Sequence, residues 1–150
     1  MKKAAMITVL ACMIPISALA TTVNVKDKFS DEQIVQILKD EGYSSVKKRS
    51  DGLLVIKIDG TAYIIRNYKD GDLVATYIAS GVDVSYKDMN EWNSKKRLSR
   101  AYLDSDRDPH LEADMLSNGG VSEKNVSEFF RIFTKSAKAF KSFLLSHDKS

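Results

Sequence analysis

The chain has 150 residues, of which 43% are hydrophobic and 29% charged, and its formal net charge is +3. That balance suits one soluble globular domain and excludes a disordered or fibrous chain. Charges of both signs are interspersed, and without Lys2 and Lys3 the net charge falls to about +1, which excludes the dense basic face that nucleic-acid binding requires.

The N-terminus carries an export signal. Lys2 and Lys3 precede an apolar stretch over residues 4–19, broken only by Thr8, Pro15 and Ser17, and it closes with Ala18-Leu19-Ala20. A basic region, an apolar core and a small-x-small exit, in that order, predict a secretory signal peptide over residues 1–20, cut after Ala20. The core is shorter than the about 20 apolar residues of a membrane span, and no later stretch comes closer. The mature part, residues 21–150, is therefore expected to be one periplasmic or secreted domain with no membrane span. Cys12 ends Val9-Leu10-Ala11-Cys12, a loose match to a lipoprotein cleavage box. The apolar run continues past it to Leu19, so lipidation there is not expected. Cleavage after Ala20 removes the only cysteine, and with it disulfide exchange, thiol catalysis and cysteine–metal sites.

The mature part opens with Ser30-Asp31-Glu32-Gln33, a capping box with two acids at the positive helix end. Ile34, Ile37 and Leu38 follow at helical spacing, and Gly42 stops the helix. From Val46 the period changes to two. Leu54, Ile56 and Ile58 alternate with Val55, Lys57 and Asp59, between the turn signals Asp51-Gly52 and Asp59-Gly60. Tyr63 and Ile65 extend a further strand. Asp70-Gly71-Asp72 then turns the chain into residues 73–80, where Val74, Thr76 and Ile78 alternate with Leu73, Ala75 and Tyr77. Ser85 and Asp88 open a second helix carrying Tyr86, Met89 and Trp92. Its basic end, Lys95, Lys96 and Arg97, suits the helix dipole. Strands over residues 98–104 and 110–117 come next, joined by a turn containing Pro109. Ser122 caps a long last helix with a stripe of Val126, Phe129, Phe130, Phe133, Ala137, Phe140 and Leu144. The sum is an α+β domain of order α-βββ-α-ββ-α: an antiparallel sheet of about five strands with helices on one face.

The run Asn90-Glu91-Trp92-Asn93, then Lys96-Arg97, Arg100-Ala101-Tyr102-Leu103-Asp104, Asp108-Pro109 and Gly120-Val121-Ser122-Glu123, with Phe129 and Phe140, resembles the YbjN family. The likeness covers most of residues 21–150 and is strongest over residues 83–144. It implies a bacterial sensory transduction regulator and a fold like that of class I type III secretion chaperones, which hold other polypeptides. It carries over no catalytic residue set. The signal peptide sets this chain apart from a cytoplasmic regulator.

The remaining constellations weigh against chemistry. Asp104-x-Asp106-x-Asp108 opens like a calcium loop, but Pro109 and Met115 stand where Gly and Glu are needed, so an acidic turn is expected. His110 and His147 are the only histidines, and His147 falls in the polar tail. No nucleophile elbow, phosphate loop or dinucleotide fingerprint occurs. No cofactor or metal is therefore expected. Glu112 and Asp114 share one strand face. By alternation Lys57, Arg66, Tyr77, Arg100 and Tyr102 join them on an outer face with the mixed composition of recognition surfaces. Ile132, Ala139 and Phe143 form a second apolar line on the last helix, one more than burial on a sheet requires. Arg66, Tyr77, Arg100, Tyr102, Glu112, Ile132 and Phe143 are thus the candidate interaction surface, toward a protein partner or a second copy. The expectation is an exported, non-enzymatic interaction or regulatory module of chaperone-like character. The alternative is a small-ligand-binding or hydrolytic protein with a pocket between the sheet and the last helix.

Overall fold

The computed structural model describes residues 24–150. The export signal and Cys12 lie outside the described residues. Three helices and six strands follow in order: α1 (Asp31–Asp40), β1 (Ser45–Ser50), β2 (Leu53–Ile58), β3 (Thr61–Asn67), β4 (Leu73–Ile78), α2 (Tyr86–Lys95), β5 (Arg100–Leu103), β6 (Pro109–Met115) and α3 (Glu123–His147). Among the described residues no helix is long and apolar enough to cross a membrane.

All three helices start with the same device. Ser30, Ser85 and Ser122 each accept an N–H from the third helical residue, and Gln33, Asp88 and Asn125 reach back to the capping backbone N–H. Each box satisfies two donors that the first turn leaves unpaired. The β2–β3 turn is Asp59-Gly60, with φ of 49° and 77°. Two successive positive φ values match the twist of the flanking strands, and this sequence pair tolerates them.

The sheet is antiparallel throughout its ladders, in the order β1-β2-β3-β4-β6-β5. It has six strands where about five were expected. The extra strand is β1, whose only buried residue is Val46, so it carries almost no alternation to read. Lys47, Lys48 and Arg49 leave this edge exposed and charged, a composition that discourages pairing with another sheet.

One sheet face carries the core. Leu54, Ile56, Tyr63, Ile65, Leu73, Ala75, Tyr77, Leu111 and Ala113 are all buried against the helical layer. α1 packs on β1 and β2, α3 crosses β4 and β6, and α2 covers β5. Val126, Phe130, Phe133, Ala137, Phe140 and Leu144 of α3 are buried, as their spacing predicts. Tyr63 meets Phe130 and Phe133 edge-on at 6.1 and 6.3 Å. Trp92 of α2 meets Phe140 at 5.0 Å and Phe143 at 5.5 Å. These aromatic contacts join α2, α3 and the sheet in one core.

Candidate functional site

The register decides which candidate residues share a face. Arg100 pairs with Glu112, and Glu112 with Thr76; Tyr102 pairs with His110; Arg66 pairs with Val74, and Val74 with Asp114. Arg66, Arg100, Tyr102 and Glu112 therefore lie together on the face turned away from the helices. Tyr77 does not join them. It pairs with Leu111 and is 7% exposed, in the core beside Tyr63 at 5.9 Å. Alternation with Val74, Thr76 and Ile78 sends it inward, and its size fills the space under α3. Phe143 is half-buried. It packs on Trp92 and Phe140 and closes the α2–α3 seam.

The outer-face residues bind one another. The Arg100 guanidinium donates to Glu112 Oε2 at 2.7 Å, the Tyr102 hydroxyl donates to Glu112 Oε1 at 3.0 Å, and His110 Nε2 lies 3.0 Å from Asp104 Oδ2. Tyr102 and His110 stack with centroids 4.9 Å apart. Burial, and then the Glu112 carboxylate, push the Tyr102 phenol up to about 12. That is the opposite of what an activated nucleophile needs. The acidic run ahead of β6 is a turn. Asp104 Oδ1 accepts the N–H groups of Asp106 and Asp108 at 3.0 and 2.9 Å. Partial burial pushes the Asp104 carboxyl up, but those N–H groups and His110 outweigh it and hold it below the usual range. This cluster clamps β5 to β6 and β4, with its polar atoms already paired.

The second apolar line of α3 has two fates. Its C-terminal part is covered by α2 through Phe143. Midway, Ser136 Oγ meets Ser99 Oγ at 3.1 Å. Toward the helix start nothing covers it, and a cavity of about 400 Å³ opens there, walled by Leu98, Ala113, Phe129, Ile132 and Phe133. Leu98 is 70% exposed and Ile132 40%.

The gap has a backbone cause. β5 begins at Arg100 opposite Glu112, and Leu98, with φ of 63°, directs the preceding chain away from the sheet. β6 runs on through Ala113, Asp114 and Met115, which pair with β4 alone. The groove therefore combines an apolar floor with a short length of sheet edge open on one side. The sequence identified Ile132 as a surface residue. It missed Leu98 and Phe129, because one was assigned to a strand and the other to the core stripe.

The described residues thus form a two-layer α+β sandwich, with helices on one face of the sheet and a groove where β5 stops short of β6. The chain belongs to the YbjN family, described as "Putative bacterial sensory transduction regulator", which matches residues 30–146. That membership suggests a regulatory or protein-interaction role. No curated protein and no solved structure matches the chain.

Proposed function

We propose that this protein is an exported, non-catalytic interaction module that holds an extended segment of another polypeptide, in the manner of a chaperone. The observation that carries the proposal is the groove between β6 and α3. A strand laid along Ala113–Met115 would continue the line that β5 abandons, and alternate side chains would enter the apolar floor. Main-chain hydrogen bonds then give affinity and the pockets give selectivity. The cavity does lie between the sheet and the last helix, as the small-ligand alternative expected. Its walls are chiefly apolar, however, and of the three charged residues that also line it, Arg100 and Glu112 pair with each other while Asp114 is exposed to solvent. That favours a polypeptide over a small polar substrate. Location outside the cytoplasm rests on residues 1–20. N-terminal sequencing of the exported protein should begin at Thr21, and a lipidated Cys12 start would refute it.

Selection from a displayed dodecapeptide library against residues 21–150 tests the groove. Enriched peptides should alternate apolar and polar positions. Leu98→Asp and Ile132→Asp should each weaken the selected peptide at least about tenfold, some 1.4 kcal/mol, with little change in melting temperature. Equal affinity in both variants would refute the site. A dimer seen by sedimentation and abolished by Ile132→Asp would replace the client with a second copy.

A further inference from the structure

The last turn of α3 lies against the first half of α2 and brings a histidine to two carboxylates. Asp88 and Glu91 stand about one turn apart on α2. His147 is the final residue of α3, and one donor atom from each of the three lies within 4.8 Å of the others. The sequence placed His147 in a frayed tail. The structure corrects this: the Asp83 N–H donates to Asp148 Oδ1 at 2.9 Å, and the Lys149 N–H to the Asp83 carbonyl at 3.1 Å. These bonds tie the helix end to the loop before α2.

The imidazole is oriented from outside the cluster. His147 Nδ1 lies 2.9 Å from the Phe143 carbonyl. Ser146 Oγ lies 3.0 Å from the same nitrogen, and the tautomer with its proton on Nδ1, donated to the Phe143 carbonyl, has its lone pair at Nε2. That atom lies 3.9 Å from Glu91 Oε1. The ring rests on Phe143, with centroids 4.1 Å apart. A ring N–H on a backbone carbonyl, with the other nitrogen aimed at anionic oxygens, is how histidine is held for a metal. Asp88 is equally fixed. Its Oδ2 accepts the Ser85 N–H at 2.8 Å and the Ser85 hydroxyl at 2.7 Å, which leaves Oδ1 for a ligand. Those Ser85 bonds hold its carboxyl below the ordinary range, with partial burial working against them.

We propose that Asp88, Glu91 and His147 form a binding site for a divalent transition-metal ion, with zinc the best match, that links α2 to α3. One imidazole nitrogen and two carboxylate oxygens suit a borderline cation, and three protein ligands leave a position for water. Donors around zinc sit roughly 3.3–3.6 Å apart, given bonds of about 2.0–2.2 Å. Closing the present spread requires the Glu91 carboxylate to leave its 2.8 Å pairing with Lys95. The proposal revises the metal-free expectation, which rested on the cysteine lost with the signal peptide, the two histidines far apart in sequence and the defective calcium loop. Only the packing of α2 on α3 puts one of them beside the Asp88-x-x-Glu91 pair.

The test is titration of EDTA-treated mature protein with zinc sulfate, with magnesium sulfate in parallel, read by calorimetry and thermal melting. The expected result is one site of micromolar affinity. Free zinc about a hundredfold above Kd should raise the melting temperature by roughly 5–10 °C, and magnesium should not. Cobalt(II) should give the visible absorption of a nitrogen-and-oxygen site. Glu91→Gln and His147→Gln should each weaken zinc at least about tenfold, and His110→Gln should leave it unchanged. Glu91 is on the surface, so its variant keeps the test valid if the His147 variant folds poorly. No binding up to millimolar zinc, or a shift that survives in Glu91→Gln and a folded His147→Gln, overturns the site. Loss of the shift in His110→Gln alone overturns it equally.

Discussion

Asp31→Ala is expected to be among the most damaging single changes at a charged position. Asp31 is 7% exposed and joins α1 to two hairpins. Its Oδ2 accepts the Gly52 N–H at 2.9 Å, and its Oδ1 accepts the Asn67 side-chain amide at 2.8 Å. Lys48 Nζ lies 3.1 Å away. Truncation leaves the Gly52 N–H without an acceptor and Asn67 Nδ2 with only the Phe29 carbonyl at 3.1 Å, in a partly buried site, at about 1–3 kcal/mol each. The Lys48 pair is more exposed and adds at most about 1 kcal/mol. The total is about 3–5 kcal/mol, or roughly 10–20 °C in melting temperature for a domain of this size. Acid should narrow the difference. Burial alone pushes the Asp31 carboxyl up, but the bonds from Asn67, Gly52 and Lys48 outweigh it, and the folded value lies below the ordinary 3.8. A depressed folded value means that the stabilisation is complete above the ordinary carboxylate range and fades as pH falls through the folded value. Circular-dichroism melts of both proteins at pH 7 and at descending pH measure the gap. A loss under about 1 kcal/mol at pH 7, or a gap that does not narrow in acid, would refute the reasoning.

Two further outcomes follow from packing. Phe133→Ala should cost about 3–5 kcal/mol as a core truncation, and Phe143→Ala about 2 kcal/mol because its ring is only half-buried at the α2–α3 seam; denaturant titration compares them, and sedimentation of Phe143→Ala should match the wild type. Gly71→Ala should destabilise by about 3 kcal/mol or more, since φ is +99° and a Cβ there would lie 2.3 Å from the Asp27 carbonyl; a melting temperature near wild type would contradict it.

The sequence revealed what is local. All three capping serines were readable, because the box needs only residues three apart. The α3 stripe was readable from its spacing, and the order of elements followed from period and turn chemistry. What failed depends on distant partners. β1 is stabilised by its ladder with β2 and by α1, and its own SVKKRS carries no pattern. Tyr77 was misplaced because an aromatic at the end of an alternating run suits either face until its partner, Leu111, is known. The groove was hidden for the same reason. It arises where β5 stops short of β6, and that difference in length is a property of the pair. His147 looked like tail because the bonds that order it come from Asp83, more than sixty residues earlier.

The two sides of the sheet are not equivalent, and the difference bears on stoichiometry. Along β1, a row of cations guards the backbone, so an incoming strand meets repulsion and a costly desolvation. A chain that joins the sheet at Ala113–Met115 therefore finds no second landing place across the molecule. Growth in one direction ends there. If the proposed groove holds a strand, binding at Ala113–Met115 should therefore stop at one-to-one stoichiometry, and a titration that saturates above one peptide per protein would contradict it.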